Sequence, residues 1–293
     1  MQRGHPVSLT PVLEIGGSHV TAALVDLTSG EVSTRQHLPL EPDAARDELL
    51  GRFAAAGLRL GSGPRGRWGV AIPGPFDYET GIGRFHDVGK FESLNGVDVG
   101  AVLADLLVAD QIRFLNDADA FGIGEAAVGA ARGHARAVCL TLGSGIGSAF
   151  LADGLPVKTG DAVPPGGFVH TLSHAGRPLE DSMSRRALRS AYRDATGDDL
   201  DVKEIADLVR AGEPDAARVW DAGFTALTAA IGPWVERFAA DLVVVGGSIA
   251  KSWDLVGPAL ADGFGAASVP VTVVPAARPD DAALIGAARW AQG

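Results

Sequence analysis

The order of apolar and polar positions divides the chain into two halves that open in the same way. An apolar run at 11–15 meets Gly16-Gly17-Ser18, and a second run at 19–26 follows at once. Two such runs broken by a glycine turn predict a strand and an antiparallel strand returning from it. Thr28-Ser29-Gly30 marks a further turn into a third strand at 31–38. The second half repeats the theme, with a strand at 137–142, a glycine-rich turn at 143–147, a returning strand at 148–152 and a turn at Gly154. The repetition predicts two related α/β lobes with a cleft between them. Other strands are expected at 68–72, ending at Pro73-Gly74-Pro75, at 112–115, ending at Asn116-Asp117, and at 269–274. The unbroken apolar run at 242–245, ending at Gly246-Gly247-Ser248, reads as a parallel strand buried on both faces. Helical spacing predicts helices at 43–60, 97–108, 118–129, 182–196, 202–211, 214–240 and 281–291. The smaller N-terminal lobe is expected to hold 1–116 with 280–293, and the larger lobe 117–279.

Composition narrows the function. With 46% hydrophobic residues in 293, the chain can bury a full core. Its 39 glycines are about twice the ordinary share and fall in discrete turns, which suggests backbone approaching a ligand. A net charge of −11 argues against nucleic acid and anionic membranes as partners, but not against ATP. The single cysteine, Cys139, forbids an internal disulfide and fits a cytoplasmic protein. Residues 1–11 carry no apolar signal-peptide core, and the longest uncharged stretch, 137–152, has 16 residues against the ~20 of a membrane span.

Residues 111–149 hold the candidate chemistry: a carboxylate at Asn116-Asp117 and a glycine turn at Gly143-Ser144-Gly145-Ile146-Gly147. A general base near a phosphate cradle is what phosphoryl transfer to a hydroxyl needs. Asp117 is the candidate base, with Asn116 fixing the substrate; alternatively Asp117 or Asp119 caps the following helix. The glycine turn is followed by a strand pattern, not a helix, so it is no dinucleotide fingerprint, and a Gly-Lys-Ser/Thr P-loop is absent. In Glu14-Ile15-Gly16-Gly17-Ser18 the glycines open backbone N–H groups to phosphate oxygens, and Glu14 is a candidate Mg²⁺ ligand. The bland alternative is a hairpin turn with a surface carboxylate. His170 and Glu180 can hydrogen-bond sugar hydroxyls; Glu180 can equally serve a helix dipole. His170 and His174 are four apart but lack a third ligand, so a non-metal role is read. Gly246-Gly247-Ser248 either faces a nucleotide or is a strand-to-helix turn.

In this order the motifs resemble the ROK family of sugar kinases and related repressors, which includes bacterial glucokinases, from residue 12 to about 290. Glu14-Ile15-Gly16-Gly17-Ser18 resembles the family's first phosphate motif, Asp-x-Gly-Gly-Thr. Pro73-Gly74-Pro75-Phe76-Asp77 resembles its Pro-Gly-Pro-Val-Asp loop. Asn116-Asp117-Ala118-Asp119-Ala120, with Gly124-Glu125 after it, resembles the segment that carries the family's catalytic Asp. Residues 142–147 resemble the second phosphate motif, and 245–248 and 282–288 the C-terminal signatures. The resemblance implies the two-lobe actin-like (RNase H-like) ATPase fold with an inter-lobe cleft. It implies a hexose kinase moving the γ-phosphate of ATP to the 6-hydroxyl of glucose, with Asp117 as base. Mg·ATP is expected at Gly16, Gly17, Ser18, Gly143, Ser144, Gly145, Gly246 and Gly247, and the sugar near Gly74, Asn116, Asp117, His170 and Glu180. Expected partners are the sugar and a second copy of the chain, with no nucleic acid and no membrane. The alternatives are an amino sugar or N-acetyl sugar as substrate, polyphosphate as donor, or a non-catalytic sugar sensor.

The departures matter. Glu14 replaces the usual Asp. Gly166-Gly167-Phe168-Val169-His170 stands where the family has Gly-Glu-x-Gly-His, so Gly167 replaces a sugar-binding Glu and leaves the sugar open. Residues 171–180 contain no cysteine, so the family's structural zinc is not expected. Only about ten residues precede the first strand, so the repressors' helix-turn-helix is not expected.

Overall fold

The computed structural model describes residues 9–61 and 66–293; the N-terminal segment discussed above lies, up to residue 8, outside them. The chain divides into two compact units. The first begins with β1 (Leu9–Ile15), β2 (His19–Asp26) and β3 (Glu31–Pro39), an antiparallel meander. It continues through α1 (Arg46–Leu58), β4 (Arg67–Ile72), the short hairpin β5 (Phe76–Asp77) and β6 (Ile82–Gly83), α2 (Val99–Leu107), β7 (Gln111–Asn116) and α3 (Asp117–Val128). The sheet order is β3-β2-β1-β4-β7, with β4 and β7 parallel to β1. Because successive strand residues point to opposite faces, β1 feeds two cores. Leu13 and Ile15 pack with Phe53, Trp68 and Phe91, whereas Val12 packs with Ala71, Leu115 and Ile123.

The second unit repeats the plan. It contains β8 (Arg136–Leu142), β9 (Ile146–Ala152), β10 (Leu155–Pro156), the hairpin β11 (Ser173–His174) and β12 (Arg177–Pro178), α4 (Arg185–Thr196), α5 (Val202–Arg210), α6 (Pro214–Phe238), β13 (Leu242–Gly246), α7 (Trp253–Ala266) and β14 (Thr272–Pro275). The order β10-β9-β8-β13-β14 has β8 and β9 antiparallel and β13 parallel to both β8 and β14. The duplicated hairpins expected from the apolar pattern are therefore present. Helix α7 was not anticipated. Pro258 and three glycines interrupt its pattern, yet Val256, Leu260 and Phe264, at helical spacing, are buried in the core beneath α6. The last strand begins at Thr272 rather than 269, because Val269 is buried in the preceding turn.

The chain ends in α8 (Ala282–Gln292), which returns to the first unit. This helix approaches its neighbours too closely for side chains. A Cβ on Gly286 would lie 1.8 Å from the Ala120 carbonyl oxygen, one on Gly124 1.9 Å from that of Ala282, and one on Gly69 2.0 Å from that of Ala287. The α3–α8 contact ties α3 to the first unit. The units accordingly divide after Val128, with 280–293 in the first unit. No helix among the described residues is long and apolar enough to cross a membrane.

Candidate active site

The first unit gathers its candidate residues by sheet topology. β1, β4 and β7 are adjacent and parallel, and Glu14 pairs with Ala71 while Ile72 pairs with Asn116. Glu14, Gly74 and Asn116-Asp117 thus emerge at the C-terminal ends of three neighbouring strands, the usual edge for ligands in open α/β sheets. Asn116 is buried: its Oδ1 accepts from the N–H groups of Ala118 at 3.0 Å and Asp119 at 3.4 Å, and its Nδ2 donates one N–H to the Tyr78 hydroxyl at 3.1 Å. That is an N-cap pattern. Capping of α3, assigned above to Asp117 or Asp119 as the bland reading, falls to Asn116. Tyr78 in turn donates to the Ile72 carbonyl at 3.3 Å, and a Cβ on Gly74 would lie 3.3 Å from its hydroxyl. The Asp117 carboxylate accepts from the Ala118 N–H at 2.9 Å.

Glu14 is half-buried, and its carboxyl is pushed up to about 7. Removal from water is the main cause; the neighbouring charges of Asp117 and Asp280 add to it and Arg35 opposes it. Arg35 is held by the Asp280 carbonyl at 3.2 Å and by an ion pair with Asp281. Among the described residues no group of three or more His, Cys, Asp or Glu side chains is assembled for a metal. Glu14 nevertheless fits Mg²⁺: a carboxyl driven to hold a proton, with the Asp117 charge beside it, is a hard oxygen donor in an acidic setting that a cation would relieve. A raised acid pKa means that the folded state binds more protons than the unfolded state between about 4.5 and 7, so Glu14's contribution is lost as pH rises across that range. Glu14→Gln is expected to gain stability over the wild type on going from pH 5 to pH 8, by roughly 3 kcal/mol at most. Urea titrations in EDTA check this; parallel pH profiles for the two proteins contradict it.

The first glycine turn closes with the Gly16 N–H donating to the His19 carbonyl at 2.8 Å, leaving Gly17 and Ser18 exposed. His19 covers Gly16 and faces His37 with ring centroids 4.7 Å apart, and burial together with His37 holds its imidazole below the usual range. Tyr78, Arg35 and the histidine pair had no distinguishing signal in the sequence. Only the alternation of β2 and β3 places His19 and His37 on one face.

In the second unit the two remaining glycine turns meet. Gly247, at φ +90°, backs onto the end of β8, where a Cβ would lie 2.4 Å from the Leu142 carbonyl oxygen. A Cβ on Gly143 would lie 3.4 Å from Ser248 Oγ. Gly246 is buried, whereas Ser144 is exposed. The Gly143 carbonyl accepts from the Arg185 N–H at 2.8 Å, anchoring the start of α4 to the turn. Glu180 sits at the same turn: its Oε1 accepts from the Ile146 N–H at 2.8 Å, and a Cβ on Gly145 would lie 2.3 Å from that oxygen. Its 3-10 turn, Leu179–Asp181, precedes α4, so the helix-dipole alternative does not describe its place.

The loop carrying His170 is pinned by Ser148, whose hydroxyl donates to the Gly167 carbonyl at 2.7 Å and accepts from the Val169 N–H at 3.0 Å. His170 is exposed, its ring 5.3 Å from that of Phe168. His174 lies on β11, so the pair does not share a helix face. Gly167 has φ +72°, a conformation that glycine alone enters freely. A Cβ there would lie 3.0 Å from the Val157 carbonyl oxygen and 3.7 Å from the Lys158 ammonium nitrogen. Lys158 therefore borders the space of the missing side chain, its ammonium 4.5 Å from the centroid of the Phe168 ring.

A profile of the ROK family matches residues 11–293. The glucokinase of Thermotoga maritima is 27% identical over 268 residues, 83% of each chain. The polyphosphate glucokinase of Mycobacterium tuberculosis is 30% identical over 277 residues, 94% of this chain and 88% of its own. Among solved structures, a ROK family glucokinase from Streptomyces griseus, in complex with glucose and AMPPNP, has a TM-score of 0.80 at 21% identity, over 98% of this chain and 100% of its own. The fold is the two-lobe actin-like (RNase H-like) ATPase fold of these structures. The chain belongs to the ROK family.

Proposed function

We propose that the chain is a kinase that moves the γ-phosphate of ATP to the 6-hydroxyl of a hexose, glucose first. The observation that carries this reading is Asp117: it sits at the sheet edge beside Glu14 while Asn116 takes over the capping of α3. In this reading Asp117 accepts the proton of the sugar hydroxyl. The hydroxyl oxygen bonds to the γ-phosphorus, the bond to the β–γ bridging oxygen breaks, and ADP leaves. Glu14 would hold Mg²⁺, directly or through water, and the ion would supply charge neutralisation for the donor phosphates. The backbone of Gly16, Gly17, Ser18, Gly143, Ser144 and Gly145 binds phosphate oxygens, and Gly246 and Gly247 border the nucleotide. Gly74, Asn116, His170 and Glu180 orient the sugar. The similarity to glucokinases supports the hexose and ATP as substrates.

One observation favours a second substrate class. The ammonium of Lys158 beside Gly167 suits a carbonyl acceptor and repels a cation, which favours an N-acetyl sugar over a free amino sugar. A coupled assay for ADP with Mg·ATP across glucose, glucosamine, N-acetylglucosamine and N-acetylmannosamine tests both readings. Sugar-dependent ADP formation is expected; sugar binding without turnover would mark a sensor and end the kinase reading.

Glu180 gives a further check. Removing its carboxylate leaves the buried Ile146 N–H without an acceptor and loosens the phosphate turn. Glu180→Ala is expected to raise KM for Mg·ATP by about ten-fold, and Glu180→Gln, which keeps an acceptor, by less. Steady-state kinetics decide; an unchanged KM in the Ala variant removes Glu180 from the turn.

A further inference from the structure

An open groove of about 770 Å³ in the second unit lies between residues 158–166 and the last turns of α6. Val163, Pro164, Pro165 and the half-buried indole of Trp234 form its apolar lining. Trp234 and Arg237 are three residues apart and share a face of α6. The Arg237 guanidinium lies 5.1 Å from the Trp234 ring centroid and donates to the Asp161 carbonyl at 3.2 Å, which fixes it at the groove with donors left for a ligand. The Lys158 ammonium lies 4.5 Å from the Phe168 ring centroid. Two cations therefore border one groove, against the single carboxylate of Asp161, in a chain whose net charge is −11. Free carbonyls at the end of a helix would oppose an anion there. Those of α6 are engaged: Val235 accepts from the Ala240 N–H, Glu236 from the Ala239 N–H, and Phe238 from Arg136 at 2.7 Å.

This lining asks for a ligand with an anionic head and a body that is apolar on its faces and polar at its edges. A simple anion would leave the indole and the prolines unused. Trp234 is the one aromatic side chain in the lining, and Arg237 lies over its ring, so a nucleobase finds no open face to stack on. A sugar ring packs its C–H groups on the indole edge and the prolines, and its hydroxyls reach the exposed Thr159 and Asp161. A phosphate group takes bidentate contacts from Arg237 and a charge from Lys158. We propose that this groove is an effector site for a phosphorylated sugar, distinct from the sugar's own place near His170. Lys158 couples the two. It lines the groove and also borders the space of the side chain missing at Gly167, in the loop that Ser148 pins and that carries His170. A phosphate that draws Lys158 into the groove takes it from that space, so an occupied groove weakens sugar binding. The inference rests on the kinase reading for its ligand, since a phosphorylated hexose is the product of that reaction.

The test titrates the full chain with glucose 6-phosphate, inorganic phosphate and AMP by calorimetry, with and without saturating glucose and Mg·AMPPNP. Glucose 6-phosphate is expected to bind with glucose and Mg·AMPPNP present, at least about ten-fold more tightly than phosphate or AMP. Arg237→Ala and Trp234→Ala are each expected to weaken this binding at least about ten-fold, with kcat and KM for Mg·ATP changed by less than about two-fold. In the wild type, KM for glucose should rise with glucose 6-phosphate to a plateau, as a second site requires; in Arg237→Ala only the unlimited rise of direct competition should remain. Arg237 is exposed, so its variant decides alone if Trp234→Ala does not fold. Full displacement of glucose 6-phosphate by glucose and Mg·AMPPNP, equal affinity for phosphate, tighter binding of AMP, or unchanged binding in Arg237→Ala each overturns the proposal and leaves the kinase reading standing. Absence of sugar-dependent ADP formation ends the kinase reading, while the calorimetry, which needs no turnover, still decides the groove.

Discussion

Asp117→Asn is expected to lower kcat by about 10² or more with KM for the sugar and for Mg·ATP little changed. The exchange is nearly isosteric. An amide oxygen still accepts from the Ala118 N–H, so the start of α3 keeps its geometry, and Asn116 continues to cap the helix. What is lost is the acceptor for the hydroxyl proton, and a factor of 10² corresponds to about 2.7 kcal/mol of barrier. The substitution also removes a negative charge that raises the Glu14 carboxyl. Glu14 in the variant should therefore titrate closer to its ordinary range, and the apoprotein should be at least as stable as the wild type at pH 8. A falling kcat with a steady or rising melting temperature separates lost chemistry from lost structure. Near-normal turnover in the variant would show that another group takes the proton.

The parts of this fold that were legible in the sequence are those written in local pattern. The hairpins at 9–26 and 136–152 follow from paired apolar runs broken by glycine turns, and β13 follows from its apolar run. What the sequence hid depends on partners far along the chain. Asp117 and Asp119 are the caps the local pattern offers; Asn116 caps instead, held by Tyr78, 38 residues away, which receives its amide. Glu180 reaches the phosphate turn through the Ile146 N–H, 34 residues back, and no spacing rule contains that contact. Helix α7 was obscured because Pro258 and its glycines carry breaker signals that burial overrides.

Gly286→Ala is expected to destabilise the first unit by roughly 2 kcal/mol or more, against the usual direction for this exchange in a helix. Within an ordinary helix, glycine to alanine gains about 0.5–1 kcal/mol by restricting the unfolded chain. At Gly286 the added methyl would stand 1.8 Å from the Ala120 carbonyl oxygen, a backbone atom of the facing helix that cannot rotate away. Only a separation of α3 from α8 accommodates it. Gly124, 1.9 Å from the Ala282 carbonyl by the same construction, makes the contact reciprocal, so the two helices cannot slide to relieve one clash without meeting the other. The consequence reaches the site, because Asp117 is the first residue of α3. A displacement of the order of 1 Å at a reacting group can cost about 10² in rate, so kcat should fall in protein that remains folded. Gly51→Ala supplies the control: Gly51 lies inside α1 with nothing within 4 Å of its missing Cβ, and its variant should be neutral or more stable. Urea denaturation of both variants, with kcat measured well below each transition, decides. If Gly286→Ala matched Gly51→Ala in stability and rate, the close helix pair would not be what holds Asp117 in place.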